Sequence, residues 1–213
     1  MHFEILVEDL SGKKALNILI PKIIGAQHTF KVHRYRGAGH IPKNLANSTN
    51  ANKRLLLNEL PSQLRVYGRR YANDPSKVVI VICDLDNNCL KTFRQELFRV
   101  LNTCNPKPET RFCIAIEEGE AWLLGDIPAI KAAYPKAEET ILNGYQNDSI
   151  CGTWELLADA VFTGGSSALK KIGRGAVGRE KSTWAEKITP YININKNASP
   201  SFCYFRDKIR ELI

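Results

Sequence analysis

The sequence predicts an α/β fold, in which a central, mainly parallel sheet of about four strands is flanked by helices and followed by a helical C-terminal region. Short apolar runs rich in β-branched residues alternate with longer segments of helical spacing. Strands that alternate with helices imply right-handed crossovers and a parallel sheet. The clearest run, residues 78–83, is unbroken and apolar, which is typical of a strand buried on both faces.

The N-terminal part begins with a predicted strand at residues 3–7 and a helix for which Ser11 is the expected N-cap. Pro21 is expected to kink this helix or to end its regular part. A second strand is expected within residues 28–35, where apolar and polar side chains alternate. The Asn-rich residues 44–52 are expected to be irregular.

Two helices are predicted on either side of the strand at residues 78–83. Residues 55–71 have helical spacing, and a second apolar stripe runs through residues 89–101. Asn87 and Asn88 precede this stripe and are the candidate caps of the second helix.

The C-terminal half is predicted to be mostly helical. A fourth strand is expected at residues 112–116, and a helical segment at residues 121–133 is interrupted at residues 126–128. We therefore divide the chain into a core at residues 1–126, which contains the predicted sheet, and a helical extension packed on it at residues 127–213. Further helices are predicted at residues 154–161, 167–172, 184–188 and 202–213.

The composition is that of a globular protein with a basic excess. The chain has 213 residues, of which 44% are hydrophobic and 24% are charged, and its formal net charge is +8 at pH 7. No apolar run approaches the roughly 20 residues that are needed to cross a bilayer, so no membrane partner is expected. Acidic motifs within a basic chain favour a metal site inside a phosphate-binding surface.

Targeting and cysteine patterns favour a cytoplasmic location. The N-terminus lacks the basic region of a signal peptide, and Glu8 and Asp9 interrupt the first apolar run. The six cysteines form no C-x-x-C pair and no compact Cys/His cluster. This spacing argues against a zinc site and favours free thiols in a reducing compartment.

Carboxylates follow three of the predicted strands at the point where each strand ends. Glu8 follows the first strand, Asp84 and Asp86 follow the third, and residues 117–120 follow the fourth. Because parallel strands end at the same edge of a sheet, these acids are expected to converge. Residues i and i+2 of a strand share a side, so both aspartates are expected to point toward one place. Paired carboxylates repel unless protons or a cation separate them, and Mg²⁺ is the hard cation that prefers oxygen ligands.

A glutamate after the first strand and Asp-x-Asp after a later one resemble the Toprim domain, a Rossmann-like fold shared by topoisomerases, bacterial primases and the overcoming-lysogenization-defect nucleases. The resemblance is closer to small stand-alone Toprim-like proteins of unknown function, which are often encoded beside ABC-type ATPases in bacterial defence clusters. Its most specific segment is Glu-Ala-Trp-Leu-Leu-Gly-Asp at residues 120–126. The resemblance also extends over residues 7–8, 33–37, 83–91, 114–119, 133–135, 152–154, 170–172 and 197–202.

The resemblance implies a Mg²⁺-dependent nuclease that cleaves phosphodiester bonds of DNA or RNA, with Mn²⁺ able to substitute. It assigns Asp84 and Asp86 to metal binding and Glu8 to a metal ligand or general base. Glu120, or alternatively Glu117, would complete a second metal position. The resemblance further implies an effector of anti-phage defence whose protein partner is an ABC-type or SMC-like ATPase.

Basic side chains are expected to bind a nucleic-acid backbone. Two arginines stand at i and i+2 near the end of the second strand, where they suit a phosphate clamp, with a solvated strand end as the alternative. Three others lie in the basic, Gly-rich residues 170–181, which fit a flexible arm over nucleic acid or a plain mobile loop. The candidates are Arg34, Arg36, Lys91, Lys170, Lys171 and Arg174.

One departure from the Toprim pattern supports an alternative function. Toprim domains carry Glu-Gly at the first acid, whereas this chain has Glu8-Asp9, which adds a carboxylate. The alternative is a non-catalytic nucleic-acid-binding or partner-binding module. A third hypothesis, a small-molecule phosphohydrolase, uses the same acids but requires a closed pocket and predicts no salt-sensitive affinity for polynucleotides.

Several conspicuous residues are expected to have structural roles. Trp122 is expected in the core, His33 in a structural hydrogen bond, Asp126 at a helix cap and Glu118 at a solvated helix start. Residues 197–202 have no evident chemistry and are expected to serve folding.

Overall fold

The fold is α/β, as the sequence predicts, with a four-stranded parallel sheet in the order β2-β1-β3-β4. The strands are β1 (His2–Val7), β2 (Thr29–Arg34), β3 (Lys77–Asp84) and β4 (Thr110–Ala115). The computed structural model describes residues 1–45, 54–149 and 152–213. Because neighbouring strands are all parallel, their carboxyl ends form one edge of the sheet.

Helices connect the strands and continue after β4. The crossovers between successive strands contain α1 (Leu10–Ile24), α2 (Leu56–Tyr71) and α3 (Leu90–Asn102). A 3-10 turn at Thr189–Tyr191 precedes the last helix. The helices after β4 are α4 (Glu120–Leu124), α5 (Ile127–Ala133), α6 (Glu139–Asn143), α7 (Thr153–Val161), α8 (Gly165–Ile172), α9 (Arg174–Ile188) and α10 (Pro200–Arg210). In the part of the chain that the structure describes, no helix combines the length and apolar character needed to span a membrane.

The sheet separates two hydrophobic clusters because side chains alternate along each strand. On β1, Phe3, Ile5 and Val7 pack with α1 and the C-terminal helices, whereas Leu6 packs with α2 and α3. The central strand β3 is buried on both faces, which explains its unbroken apolar sequence.

The C-terminal helices share a hydrophobic cluster with one face of the sheet. Trp122 stacks on Phe205 with ring centroids 4.7 Å apart, and its ring meets Phe202 edge-on at 5.7 Å. These contacts join residues on both sides of the predicted boundary at residue 126. The expected core position of Trp122 is confirmed, since only 5% of its surface is exposed.

The loop that leads into α10 has the structural role expected from its sequence. Asn197 Nδ2 donates to the carbonyl of Trp122 at 2.7 Å, and Trp122 Nε1 donates to Ser201 Oγ at 3.0 Å. Ser199 caps α10 by accepting a backbone N–H of the first turn at 3.2 Å. Gly125 packs so closely here that a Cβ at this position would lie 2.2 Å from Asn197 Oδ1.

The start and course of α1 differ from the prediction. Asp9, rather than Ser11, caps the helix, because its carboxylate accepts the N–H of Gly12 at 2.8 Å. Pro21 lies inside α1 and does not end it, because the helix continues to Ile24.

The predicted flexible arm at residues 170–181 is also wrong. This segment forms the end of α8 and about the first half of α9, and Gly173, with a φ of 114°, separates the two helices. Helix α9 is held in place by buried residues that include Ala176, Trp184 and Ile188. The helix that the sequence predicted at residues 184–188 therefore begins ten residues earlier, at Arg174.

Other predicted boundaries shift by a few residues. The N-cap of α3 is Cys89, which makes no side-chain capping bond, so Asn87 and Asn88 are not the caps. Most of the segment predicted to be irregular, residues 46–52 of 44–52, lies outside the described residues.

Candidate functional site

A small cavity at the carboxyl end of the sheet is surrounded by acidic side chains. Its charged lining comes from Glu8 and Asp9 after β1, Asp84 at the end of β3, Glu120 at the start of α4, and Lys181 of α9. The cavity measures about 50 Å³, and one water molecule needs roughly 10–15 Å³ measured in this way. The space therefore suits an ion with a few waters, and the structure brings Glu8, Asp84 and Glu120 together.

Glu8 and Asp84 lie side by side because β1 and β3 are neighbours. Glu8 Oε1 accepts a hydrogen bond from the backbone N–H of Asp84 at 2.9 Å. Burial raises the pKa of Glu8 to about 8; the hydrogen bond from Asp84 opposes this, whereas the charges of Asp86 and Asp9 add to it. Burial and the charge of Glu8 also raise the pKa of Asp84 well above its ordinary value. The pair therefore favours protons or a cation at neutral pH.

Lys181 is the charged partner of two further acids. Its Nζ lies 2.9 Å from Glu120 Oε2 and 3.4 Å from Glu118 Oε1. Burial works to lower the pKa of Lys181, but the charges of Glu120, Glu118 and Asp84 outweigh it and raise this pKa above its ordinary value. Burial raises the pKa of Glu118 to about 7 and shifts the pKa of Glu120 upward, in both cases against the effect of the ammonium group.

The charges at this site do not balance without protons or another cation. Five carboxylates, from Glu8, Asp9, Asp84, Glu118 and Glu120, surround one ammonium group, which would leave four negative charges if all were ionised. Glu118 Oε2 is also buried and accepts no hydrogen bond from the described residues. Carboxylate oxygens are the ligands that Mg²⁺ prefers, so the donor set and its surplus charge fit a hard divalent cation.

The acids are not preassembled around a single point. Across residues 1–45, 54–149 and 152–213, no group of three or more His, Cys, Asp or Glu side chains is already placed to hold a metal ion. Glu8, Asp84 and Glu120 share the cavity, so they would have to change side-chain conformation to coordinate an ion together. The donor type and charge of these residues suit a metal ion, but their side chains are not arranged in a coordination geometry.

Asp86 does not line the cavity with Asp84. Strand β3 ends at Asp84, and Asp86 adopts a left-handed conformation with a φ of 48°. The strand alternation that predicted a shared side therefore stops before Asp86. Asp86 is exposed, and its backbone N–H bonds to the carbonyl of Glu117 at 2.9 Å. Its charge still acts on Glu8, so it lies within electrostatic range of the site.

Glu117 and Glu118 both lie in environments that differ from those expected. Glu117 has a φ of 62°, and its carboxylate accepts the backbone N–H groups of Gly152 and Thr153 at the start of α7, the second at 2.7 Å. It therefore caps a helix instead of offering a second metal position. The solvated helix start predicted for Glu118 is wrong, because this side chain packs against Lys181 and is mostly buried.

Two expected structural roles are confirmed. Asp126 is the N-cap of α5 and accepts the N–H of Ala129 at 3.1 Å. His33 Nε2 lies 2.5 Å from Glu4 Oε2, in a contact on the α2 side of the sheet.

The two predicted arginines of the phosphate clamp lie at the acidic edge. Arg34 is the last residue of β2 and is paired in register with Val7. Arg36 follows, between two residues whose N–H groups bond to the carbonyls of Val7 and Glu8 at 2.9 and 2.8 Å. Both arginine residues are exposed, as a nucleic-acid contact requires.

The other predicted basic residues lie on helices rather than on a flexible arm. Lys170 is near the end of α8 and pairs with Glu155 at 3.1 Å. Lys171 is exposed beside it, and Arg174 is exposed at the first position of α9. Lys91 is exposed in the first turn of α3.

From the sequence, Lys181 is considered only as part of the basic segment at residues 170–181 and is not connected with the acids. Its position on a helix could not be recognised because residues 170–181 contain several glycines and no obvious helix signal. The available signal is its spacing, since Lys181 precedes Trp184, Ala185 and Ile188 by three, four and seven residues. This spacing places the ammonium group on the inward stripe of a helix.

Comparison with known proteins identifies a domain family without an assigned activity. Residues 7–210 match the DUF4276 family, which is described as a domain of unknown function. No curated protein and no solved structure matches the chain.

Proposed function

We propose that this chain, which belongs to the DUF4276 domain family, is a divalent-metal-dependent nuclease that cleaves phosphodiester bonds of DNA or RNA. The main support is the convergence of Glu8, Asp84 and Glu120, from three strand ends, on one cavity with surplus negative charge. Metal-dependent phosphodiesterases use carboxylates to hold cations beside the phosphate. The Toprim resemblance of the sequence points in the same direction.

In this proposal Glu8, Asp84 and Glu120 hold Mg²⁺ or Mn²⁺, and Asp86 is available from outside the cavity. When bound, the ion lowers the pKa of a water molecule and neutralises charge on the phosphate. The strand end fixes the backbone of Asp84, and the hydrogen bond from that backbone orients Glu8. Lys181 keeps a positive charge beside Glu120 and offsets part of the carboxylate repulsion.

A polynucleotide fits this site better than a small phosphate ester. Pockets that enclose small ligands usually measure roughly 300–1,000 Å³, whereas this cavity measures about 50 Å³. The substrate backbone would therefore lie across the opening instead of entering it. Exposed Arg34 and Arg36 at the same edge, together with the net charge of +8, support a polyanionic substrate.

The test is a cleavage assay of the full chain on supercoiled plasmid and on tRNA, with EDTA, Mg²⁺ or Mn²⁺. Wild-type protein should cleave one of the two only with metal, and Asp84→Asn should reduce the rate by at least about a hundredfold, as expected for loss of a metal ligand. Asp74→Asn is the matched control, because Asp74 precedes β3 at the opposite edge of the sheet and bonds to Ser76. Equal cleavage by the Asp84→Asn variant and the wild type would reject the proposal.

The second candidate function is a non-catalytic nucleic-acid-binding or partner-binding module. It is favoured by the position of Lys181, which already neutralises part of the acidic cluster without a metal. Titration with Mn²⁺ distinguishes the two, because the module would bind DNA or RNA in a salt-dependent way without binding the ion.

We further propose a cytoplasmic protein that acts with an ABC-type or SMC-like ATPase in anti-phage defence. The support is the Toprim resemblance of the sequence. The cleavage assay is therefore repeated with a co-expressed candidate ATPase of this class, and an unchanged rate together with failure to co-purify would reject the partnership.

A further inference from the structure

The outer edge of β4 is not paired with another strand of the described residues. Strand β4 lies at the end of the sheet and pairs with β3. The N–H groups of Val79 and Leu85 bond to the carbonyls of Glu109 and Ala115, at 2.9 Å in both cases. These two bonds fix which residues of β4 face β3, because alternate residues of a parallel strand bond to a given neighbour.

On the outward side of β4, the backbone carbonyl of Thr110 accepts a hydrogen bond from Arg111 Nη1 at 3.2 Å. The other two residues of β4 whose backbone groups lie on this side are Phe112 and Ile114. Their backbone N–H and C=O groups point away from β3, and none of the described residues bonds to them. The next outward residue, Ile116, has its N–H 3.5 Å from Ser201 Oγ. An edge strand with free backbone groups is a template for adding another strand.

This edge lies in a groove of about 410 Å³ between α3 and α10. Leu90, with 39% of its surface exposed, adds apolar area to one wall. Asn147 Oδ1 is buried beside the groove and has no hydrogen-bond partner in the described part of the chain. The lining residues include Phe112 and Ile114 on β4, Ile116 directly after it, Leu90 and Arg94 on α3, and Tyr204 on α10. The groove thus offers unsatisfied polar groups and apolar walls together.

Arg94 lines the groove and Lys208 lies beside it, where Lys208 is paired with Glu211 at 2.7 Å. The guanidinium group of Arg94 and the Nζ of Lys208 each lie 5.6 Å from the ring centroid of Tyr204. Neither Arg94 nor the exposed Lys91 forms an ion pair with a carboxylate of the described residues. The one acid that lines the groove, Asp148, is engaged by hydrogen bonds from the start of α10.

We propose that the open edge of β4 binds an extended acidic segment of a partner protein, which adds to the sheet as a fifth strand. An extended polypeptide matches the spacing of the free backbone groups, and acidic side chains complement Arg94 and Lys91. A second copy of this chain is a poor occupant, because pairing two β4 edges would bring the two sets of cations together. The proposal stands independently of nuclease activity.

The test uses a fluorescent octapeptide of alternating glutamate and valine, titrated with the full chain at about 0.15 M salt to screen distant charges. Saturable binding is expected, and Arg94→Glu should weaken it by about tenfold or more through a like-charge contact. Arg99→Glu is the matched control, since Arg99 is exposed on the same helix outside the groove. It should change affinity by less than about twofold, because its charge is screened at this distance.

Two further measurements separate strand addition from charge attraction. N-methylation of all valines or of all glutamates removes the N–H donors on one side of the peptide, so one pattern should abolish binding and the other should preserve it. The amide protons of Phe112 and Ile114 should exchange at least about tenfold more slowly in the complex. The proposal is overturned by absent binding at about 1 mM peptide, by equal binding of a lysine-valine octapeptide, by indifference to both methylation patterns, or by unchanged exchange.

Discussion

Replacing Lys181 with methionine should destabilise the protein by an amount that depends strongly on pH. Methionine keeps the approximate volume of the lysine stem but leaves Glu118, Glu120 and Asp84 without their ammonium partner. Removing one partner from a buried ion pair costs about 3–5 kcal/mol. The side chain of Lys181 is 15% exposed, so this range applies when the carboxylates are ionised.

The pH dependence follows from proton uptake by the acids. The variant should bind roughly one more proton in the folded state than the wild type does, because a proton can replace the missing positive charge. Each bound proton changes stability by about 1.4 kcal/mol per pH unit. Between pH 5.5 and 8.5 the cost of Lys181→Met should therefore rise by about 2–4 kcal/mol, from about 1 kcal/mol to the full range.

Urea unfolding in EDTA at pH 5.5 and 8.5 measures this difference. Lys187→Met is the matched control, because Lys187 is exposed on the same helix and only lies over the ring of Tyr134. It should cost less than about 1 kcal/mol at both pH values. If Lys181→Met cost the same at both pH values, or less than about 1 kcal/mol at pH 8.5, the charge assignment of the site would be refuted.

Three further predictions concern the site and its supports. Burial raises the folded-state pKa of Glu8 to about 8 and of Glu118 to about 7, so the metal-free protein should lose stability as pH rises from 4.5 to 8. Glu118→Gln should reduce this loss by up to about 3 kcal/mol. Thermal melts across this pH range that show the same pH dependence for the variant and the wild type would contradict this prediction. Ser199→Ala should cost about 1–2 kcal/mol in urea unfolding, since Ser199 caps α10 and donates to Asp148 at 2.9 Å, whereas the exposed Ser149→Ala should change little. Gly12→Ala should lower the free energy of unfolding by about 1–3 kcal/mol, because its Cβ would lie 2.6 Å from Val7 Cγ2. Gly178→Ala has open space inside α9 and should raise the free energy of unfolding by about 0.5–1 kcal/mol. Equal effects of the two glycine changes would contradict the packing argument.

The parallel sheet and the proximity of Glu8, Asp84 and Glu120 could be predicted from the sequence. Apolar runs buried on both faces are specific to internal parallel strands, and parallel strands share one carboxyl edge. Those two facts bring Glu8, Asp84 and Glu120 together without any knowledge of side-chain contacts. The structure agrees because each of the three lies at a strand end or at the first helical position after one.

The positions of Asp86, Glu117 and Glu118 could not be predicted in the same way. Strand alternation applies only inside a strand, and beyond β3 and β4 the chain adopts left-handed conformations at Asp86 and Glu117. Each such residue redirects the chain, so sequence spacing no longer reports which side chains share a side. The position of Lys181 beside the acids could not be predicted for another reason, since this residue lies on a helix distant in sequence and only tertiary packing brings it there.

The most direct test of the central claim is a crystal of the full chain soaked in Mn²⁺, with anomalous scattering recorded at the manganese edge. The account predicts a peak within coordination distance of Asp84, Glu8 and Glu120, with Lys181 still beside Glu120, and no peak in crystals of Asp84→Asn. A well-diffracting soaked crystal without anomalous density in this cavity, or with manganese bound only elsewhere, would contradict it.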